Sequence, residues 1–256
     1  PGEQVTVRAN PDKDVDRNHG LLISISKSDG ATLTPRSYFL RAADDTSSLT
    51  RAVDISGLWE LSVLDFESYY AAWAEVPLTE EAIAAQDAYD IRTENPSAQC
   101  IAPPTPSILV APYLNEIELG EDVIFIRNER FNVERTIYMD GRGHPQNGER
   151  TNHGHSIGHW EGDVLVVDTA NFAENRSPFI GRPSRAEGVP SGLGKHVVER
   201  FQLSEDGTHV VIDFVLEDPA YLAEPFTGTV LWYYAPHFEY LGFDCDPENA
   251  RRFSGQ

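Results

Sequence analysis

From residue 108 to residue 244 the chain alternates polar and apolar residues in short runs, separated by turn residues. A period of two places successive side chains on opposite faces of an extended strand, whereas a helix needs 3.6. Ten stretches read as strands on this pattern: "ILVAP" (108–112), "NEIELG" (115–120), "DVIFIRNE" (122–129), "VERTIYMD" (133–140), "HSIGHWEG" (155–162), "DVLVVDTANF" (163–172), "KHVVERFQLS" (195–204), "THVVIDFVLE" (208–217), "GTVLWYYAP" (228–236) and "FEYLGFD" (238–244). The breaks "EGD", "EDGT" and "APH" between them have hairpin length. Only residues 77–91 read as a helix: Pro77 precedes it, Thr79 can cap it, and Ala, Glu and Gln fill it. Many short strands, tight turns and one short helix predict an all-β antiparallel barrel or sandwich. "SGLWEL" (56–61) is similar to the opening strand of lipocalin-like barrels and supports the barrel.

Ahead of this body, residues 3–9 and 20–26 read as two strands of an N-terminal hairpin unit covering 1–45. The polar stretch 41–52 makes the linker, and the main barrel domain runs from 54 to 256. Two long loops interrupt it. Residues 95–108 carry four prolines, and residues 173–194 are rich in Gly, Pro, Ser and Arg.

The 41 acidic and 20 basic residues leave a net charge of −21, which repels phosphate backbones and anionic membrane surfaces, so no nucleic acid partner is expected. No apolar run reaches the ~18 residues of a membrane span. The chain opens at Pro1 without an initiator Met, so a processed or trimmed N-terminus is expected. There is no GxGxxG after a strand, no P-loop and no CxxCH, hence no sign of a nucleotide, flavin or haem, and no cofactor is expected. In an oxidising compartment the two cysteines, Cys100 and Cys245, would pair; otherwise they are buried thiols.

"NHGHSIGHWEGD" (152–163) carries the most chemistry for its length. Gly154-His155-Ser156-Ile157-Gly158 spells the nucleophile elbow of the α/β-hydrolases, G-x-S-x-G. That elbow needs a helix after the serine. Here a β-rich run turns at Glu161-Gly162-Asp163, so Ser156 is not expected to be a nucleophile. His153, His155 and His159 share a strand parity and could face one metal, with His196 or Asp168 adding a ligand, although His159 stands close to the turn.

Polar residues also fall inside strand patterns. In "KHVVERF", His196, Val198 and Arg200 share one face, and Val197, Glu199 and Phe201 the other, so Glu199 or Arg200 is held away from free water. With Arg135 and Asp168 these charges make either structural ion pairs or a polar cluster inside a barrel able to transfer protons. Tyr138 lies near Arg135 in the sequence. Trp160, Trp232, Tyr233 and Tyr234 could line an apolar pocket or serve as ordinary core aromatics.

The segments "DISGLW", "NPSAQCIAPPTPSIL", "RTIYMDGRGHP", "GHSIGHWEGDVLVVDTANF", "HVVERF" and "DPAYLAEPF" occur in this order between residues 54 and 245. On them the chain resembles a family of secreted bacterial all-β proteins, and its first 40 residues resemble the tail of a small β-domain that often precedes that body. The resemblance implies export, to the periplasm or the exterior, and an all-β fold; it carries no reaction. The matching residues are Cys100, Arg135, Asp140, Arg142, His144, His155, Trp160, Asp168, His196, Glu199 and Arg200. The family has another residue in place of His159, which weakens a three-histidine metal site.

The residues together suggest an exported enzyme doing cofactor-independent acid–base chemistry on a small, largely apolar molecule in a barrel cavity. His155 would be the base, oriented by Asp168. Glu199 or His196 would be the acid, and Arg135 or Arg200 would stabilise an oxyanion. Tyr138, Trp160, Trp232 and Tyr234 would contact the ligand. A non-catalytic exported binding protein and an assembly subunit are the rival readings, and the oligomeric state is open.

Overall fold

The computed structural model describes residues 4–11, 20–28, 30, 32–33, 50–61, 76–175, 188–242 and 245–248. The chain divides into two units, 1–49 and 50–256. In the first, β1 (Val5–Pro11) pairs antiparallel with β2 (Gly20–Lys27), which pairs with the short β3 (Thr32–Leu33). The hairpin read from the sequence is thus part of a three-stranded sheet. The linker reading at 41–52 falls mostly outside the described residues, as does 176–187 of the long insertion.

The second unit is a closed barrel of nine strands: β4 (Gly57–Leu61), β5 (Asn115–Leu119), β6 (Val123–Asn128), β7 (Val133–Tyr138), β8 (His155–Glu161), β9 (Val164–Ala170), β10 (His196–Leu203), β11 (His209–Glu217) and β12 (Phe226–Tyr234). They follow one another around the ring in chain order, and β12 closes on β4. A lipocalin-type up-and-down barrel has eight strands. An odd ring cannot close with every neighbour antiparallel, because direction would have to alternate an odd number of times. One parallel pair must absorb the mismatch, and it is β7–β8, with Ile137 opposite Ser156 and Tyr138 opposite Ile157. Parallel neighbours need a crossover of roughly a dozen residues or more. Residues 139–154 supply it, and this long connection carries part of the candidate site.

Alternation sorts the side chains between lumen and outer face. Trp59, Ile117, Ile124, Ile137, Leu165, Phe201, Ile212, Phe214 and Trp232 belong to one fully buried core cluster that fills the barrel. Trp59 and Trp232 also satisfy their indole N–H groups, donating to the carbonyls of Ile55 and Leu109 at 3.0 and 2.8 Å. On the outside, Arg127 of β6 binds Glu116, Glu118 and Glu134 at 2.7–2.8 Å, gathering acidic side chains from the two flanking strands in this anionic chain.

The helix forms as α1 (Glu80–Asp87), with the Thr79 hydroxyl accepting from Ala82 N at 3.2 Å. It is shorter than expected, and a separate turn, α2 (Ile91–Glu94), follows. Two expected strands do not form. "ILVAP" is a 3₁₀ turn, Ser107–Val110. Pro103, Pro104 and Pro106 just before it offer no N–H to a ladder. Ile108, Leu109, Val110 and Ala111 are all buried, so the run is covered on every side instead of lying with one face outward. Residues 238–242 of "FEYLGFD" are also not a strand, and Leu241 is 74 % exposed. The ring is already closed by β12–β4, so no sheet edge remains for a tenth barrel strand.

Cys100 and Cys245 form a disulfide with Cα atoms 5.6 Å apart, tying the proline-rich loop to the C-terminal segment. A crosslink across so long a loop is worth up to about 5 kcal/mol in the chain-entropy account.

The G-x-S-x-G letters are explained by close packing of β8 against both neighbours, β9 at Gly154 and, across the parallel seam, β7 at Gly158. Gly154 has φ +71°, and a Cβ there would stand 2.6 Å from the Ala170 carbonyl. A Cβ on Gly158 would meet Met139 Sδ and Ile137 Cγ2, both at the β7 side of the seam, at 2.7 and 2.8 Å. Ser156 is buried and shares a 2.9 Å hydrogen bond with Thr169 Oγ1. These are packing roles. Gly154→Ala is expected to cost about 1–3 kcal/mol through backbone strain, read as a lower urea midpoint. A fluorophosphonate is expected to leave Ser156 unlabelled; labelling that disappears in Ser156→Ala would overturn this.

Candidate active site

The residues expected to form one interior cluster lie on two sides of the barrel wall. On β10 the inward residues are Val197, Glu199 and Phe201, and the outward ones His196, Val198 and Arg200. On β9, Leu165, Val167 and Thr169 face in and Asp168 faces out. On β8, Ser156 faces in and His155 out.

Inside, Arg135 of β7 grips Glu199 of β10 with two hydrogen bonds, 2.9 Å to Oε1 and 2.5 Å to Oε2, and also reaches Thr169 Oγ1 at 3.4 Å. The two side chains are 2 % and 0 % exposed. The two charges compensate each other in low dielectric, although Arg135 Nε has no partner. Glu199, expected as an acid, and Arg135, expected as an oxyanion donor, thus pair with each other in the lumen and do not reach the outer cluster. Beyond them lies His153, half-buried with its Nδ1 sealed from water and unbonded, its pKa pushed down to about 3 by burial and by the charges of Arg135 and Lys195.

Outside, the strand registers lay the polar residues in a grid. His155 stands opposite Ala170, Ile157 opposite Asp168, Asp168 opposite Val198, and His196 opposite Glu217. The crossover 139–154 drops His144 onto this face. His144 Nε2 lies 2.9 Å from Asp168 Oδ1, and its Nδ1 lies 2.9 Å from His155 Nδ1. His196 Nε2 meets the same Asp168 oxygen at 2.8 Å, while its Nδ1 faces Glu217 Oε2 at 3.4 Å. The result is a continuous chain, His155–His144–Asp168–His196–Glu217.

The tautomers follow from what each group can do. A carboxylate only accepts, so both Nε2 atoms bound to Asp168 carry hydrogen. A neutral His144 then has its lone pair on Nδ1, and His155 Nδ1–H donates to it. His155 keeps a lone pair on Nε2, which has no protein partner among the described residues. His155 is held below the usual histidine pKa by burial first, then by His144 and the Arg142 guanidinium. His196 goes the other way. Burial opposes its charge, but Asp168 and Glu217 outweigh it and raise the pKa, so the charged form is favoured here more than at His155. Asp168 stays ionised: burial pushes its carboxyl up, and the bonds from His144 and His196 bring it below its ordinary value.

Tyr138 stacks on His155, with ring centres 5.1 Å apart and planes at 23°. Arg142 lies 4.0 Å above Tyr138 and is locked by Asp140, whose carboxyl it draws down to about 2. Beside the chain is an open groove of about 350 Å³ over Val198, Val215 and Thr227, with Arg200 and Asp213 on its wall.

Of the expected site residues, His155, Asp168, His196 and Tyr138 come together. Arg200 is exposed and bound to Glu161 at 2.7 Å. Trp160 is 44 % exposed beside the β8–β9 turn, whereas Trp232 is sealed in the core and Tyr234 packs on Trp59 at 5.0 Å, the ordinary core role. The three-histidine metal site does not assemble: His153 turns its Nδ1 into the interior, and His159 is exposed with Glu161 at 3.2 Å. Among the described residues no three His, Cys, Asp or Glu side chains are arranged to hold a metal ion. His144 is the residue sequence reasoning left without a role. Its only signal was membership of "RTIYMDGRGHP", since a loop has no periodicity to say where a side chain lands. Compared with known proteins, the chain matches no family model, and no curated protein matches it.

Proposed function

We propose that the chain is an exported enzyme doing cofactor-independent acid–base chemistry on a small, largely apolar molecule at the outer face of the barrel. The observation that carries this reading is the chain of hydrogen bonds from His155 through His144 to Asp168. A proton taken at His155 Nε2 need not stay there. The Nδ1–H can pass to His144 Nδ1, and the positive charge then rests beside the Asp168 carboxylate. Burial, His144 and Arg142 keep His155 neutral and so able to accept a proton, and the relay lets the charge it gains rest beside Asp168. His196, whose charged form Asp168 and Glu217 favour, is the acid. It sits two strands from His155, about 10 Å at the usual strand spacing. Arg142, over the ring that stacks on His155, is placed to steady negative charge near the base. Hydration, elimination, isomerisation and hydrolysis can all use such a base and acid.

The groove along Val198 and Val215 gives the apolar part of a substrate a place next to Asp168. The filled lumen weighs against a ligand in the barrel interior, where the sequence reading put it for enzyme and carrier alike, and favours a site on the outer face. The disulfide and the family resemblance support export. The test is turnover on a panel of esters, lactones, enones and epoxides. His155→Gln is expected to lower the rate on any substrate found by about 10²–10⁴-fold, with the fold unchanged by circular dichroism. Full turnover in that variant would reject the assignment.

A further inference from the structure

We propose that Lys195 and Asp218 hold one buried water molecule between them, and that this bridge keeps the strand ends bearing His196 and Glu217 together. The second half rests on the acid–base reading of the outer face. Lys195 and Asp218 are 3 % and 5 % exposed. Lys195 Nζ meets Ser191 Oγ at 3.2 Å and lies 4.5 Å from the centre of the Phe172 ring. Its three donors need more than one hydroxyl. Asp218 Oδ2 accepts from Gly192 N at 2.7 Å, but Oδ1 is buried with no protein partner. No direct ion pair joins the two groups. A cavity of about 10 Å³ lies among Ser191, Lys195, Leu216, Asp218 and Tyr221.

An unbonded buried carboxylate oxygen is costly. A water in this cavity donates to Oδ1 and accepts from Nζ, which settles both groups at once, and the volume is about what one water needs. An apolar void would stay dry; this one has an acceptor and a donor on its walls. Burial pushes Lys195 down to about 7, with Asp218 and Glu199 pulling the other way. Restoring a hydrogen-bond partner inside the cavity favours the charged amine and the charged carboxylate together.

The position of the bridge gives it a consequence. Lys195 immediately precedes His196, and Asp218 immediately follows Glu217. His196 and Glu217 are Cα partners at the end of the β10–β11 ladder. The buried bridge therefore ties the two strand ends at the point where the outer chain ends.

Water relaxation dispersion counts long-lived internal waters. The wild type is expected to hold one more than a Lys195→Met, Asp218→Leu double variant, and Asp218→Asn, which keeps an acceptor oxygen, should retain it. Equal counts in the wild type and the double variant would overturn the water. So would an atomic-resolution crystal structure with Nζ and Oδ1 in direct contact, which needs no variant to fold. The positioning role is read from the His196 titration by NMR in Lys195→Met. Losing a nearby positive charge would by itself raise that pKa. Losing Glu217 from beside His196 lowers it. A downward shift is expected, and an unchanged or raised value overturns the positioning role. If the water is found and His155→Gln keeps full turnover, the acid–base reading alone has failed.

Discussion

Replacing Glu199 with alanine is expected to destabilise the barrel by about 3–5 kcal/mol, the usual cost of leaving one partner of a buried ion pair uncompensated. Arg135 would be left with its guanidinium in the lumen, 2 % exposed, its Nε already unbonded and Thr169 Oγ1 its remaining side-chain partner at 3.4 Å. No water-filled route lets the charge escape, because Trp59, Phe201 and Trp232 pack the same interior. The double variant Arg135→Met, Glu199→Leu removes both charges while keeping apolar volume, and it is expected to recover most of the loss. Urea unfolding measures both. A cost under about 1 kcal/mol for Glu199→Ala would mean that the pair is not a structural one. The same double variant separates stability from chemistry. Because the pair faces the lumen and the histidines face outward, its turnover per folded molecule should match the wild type.

The other large effect is expected at His144. His144→Leu should lower turnover about as far as His155→Gln, by roughly 10²–10⁴-fold, although His144 is not the group that meets the substrate. The combined variant should be little worse than either, since groups acting as one unit are not additive. The pH profile supplies a second reading. The base works only while His155 is neutral, so the rate rises with pH as that ring loses its proton. Burial, His144 and Arg142 all favour the neutral ring, so the rise should be centred below the usual histidine value. Independent action of the two variants, with losses that multiply in the combined protein, would show that the histidines do not form a relay.

Much of this architecture is local and therefore legible in the residues. Period two in "DVLVVDT" and "HVVERF" marks strands and separates their faces, because each pleat reverses the side chain whatever the partner is. Gly162 and Gly207 take positive φ in the β8–β9 and β10–β11 turns, where glycine has no Cβ to oppose it. Thr79 caps the helix through a hydroxyl three residues from the amide it accepts. The even count of cysteines carried the disulfide once an oxidising compartment was assumed.

Parity separates two faces but does not say which one is the core. Glu199 shares its face with Val197 and Phe201 and goes inside because Arg135, 64 residues earlier, meets it there. The interior cluster expected from sequence divides for this reason: alternation sends Asp168 and His196 outward while Glu199 turns in. "ILVAP" and "FEYLGFD" look like strands, but a strand needs a free edge. The proline-rich lead-in and the closed ring leave them none. Nine-strand closure, its parallel seam and the crossover that lays His144 between Asp168 and His155 depend on pairings across the whole ring. The residues alone determined most of the strands, their two faces, the turns and the histidine-rich hairpin, since each is set by neighbours within a few positions. Only the tertiary structure decided which face met the core and which imidazole joined which carboxylate, because those contacts link distant segments that closure of the barrel brings together.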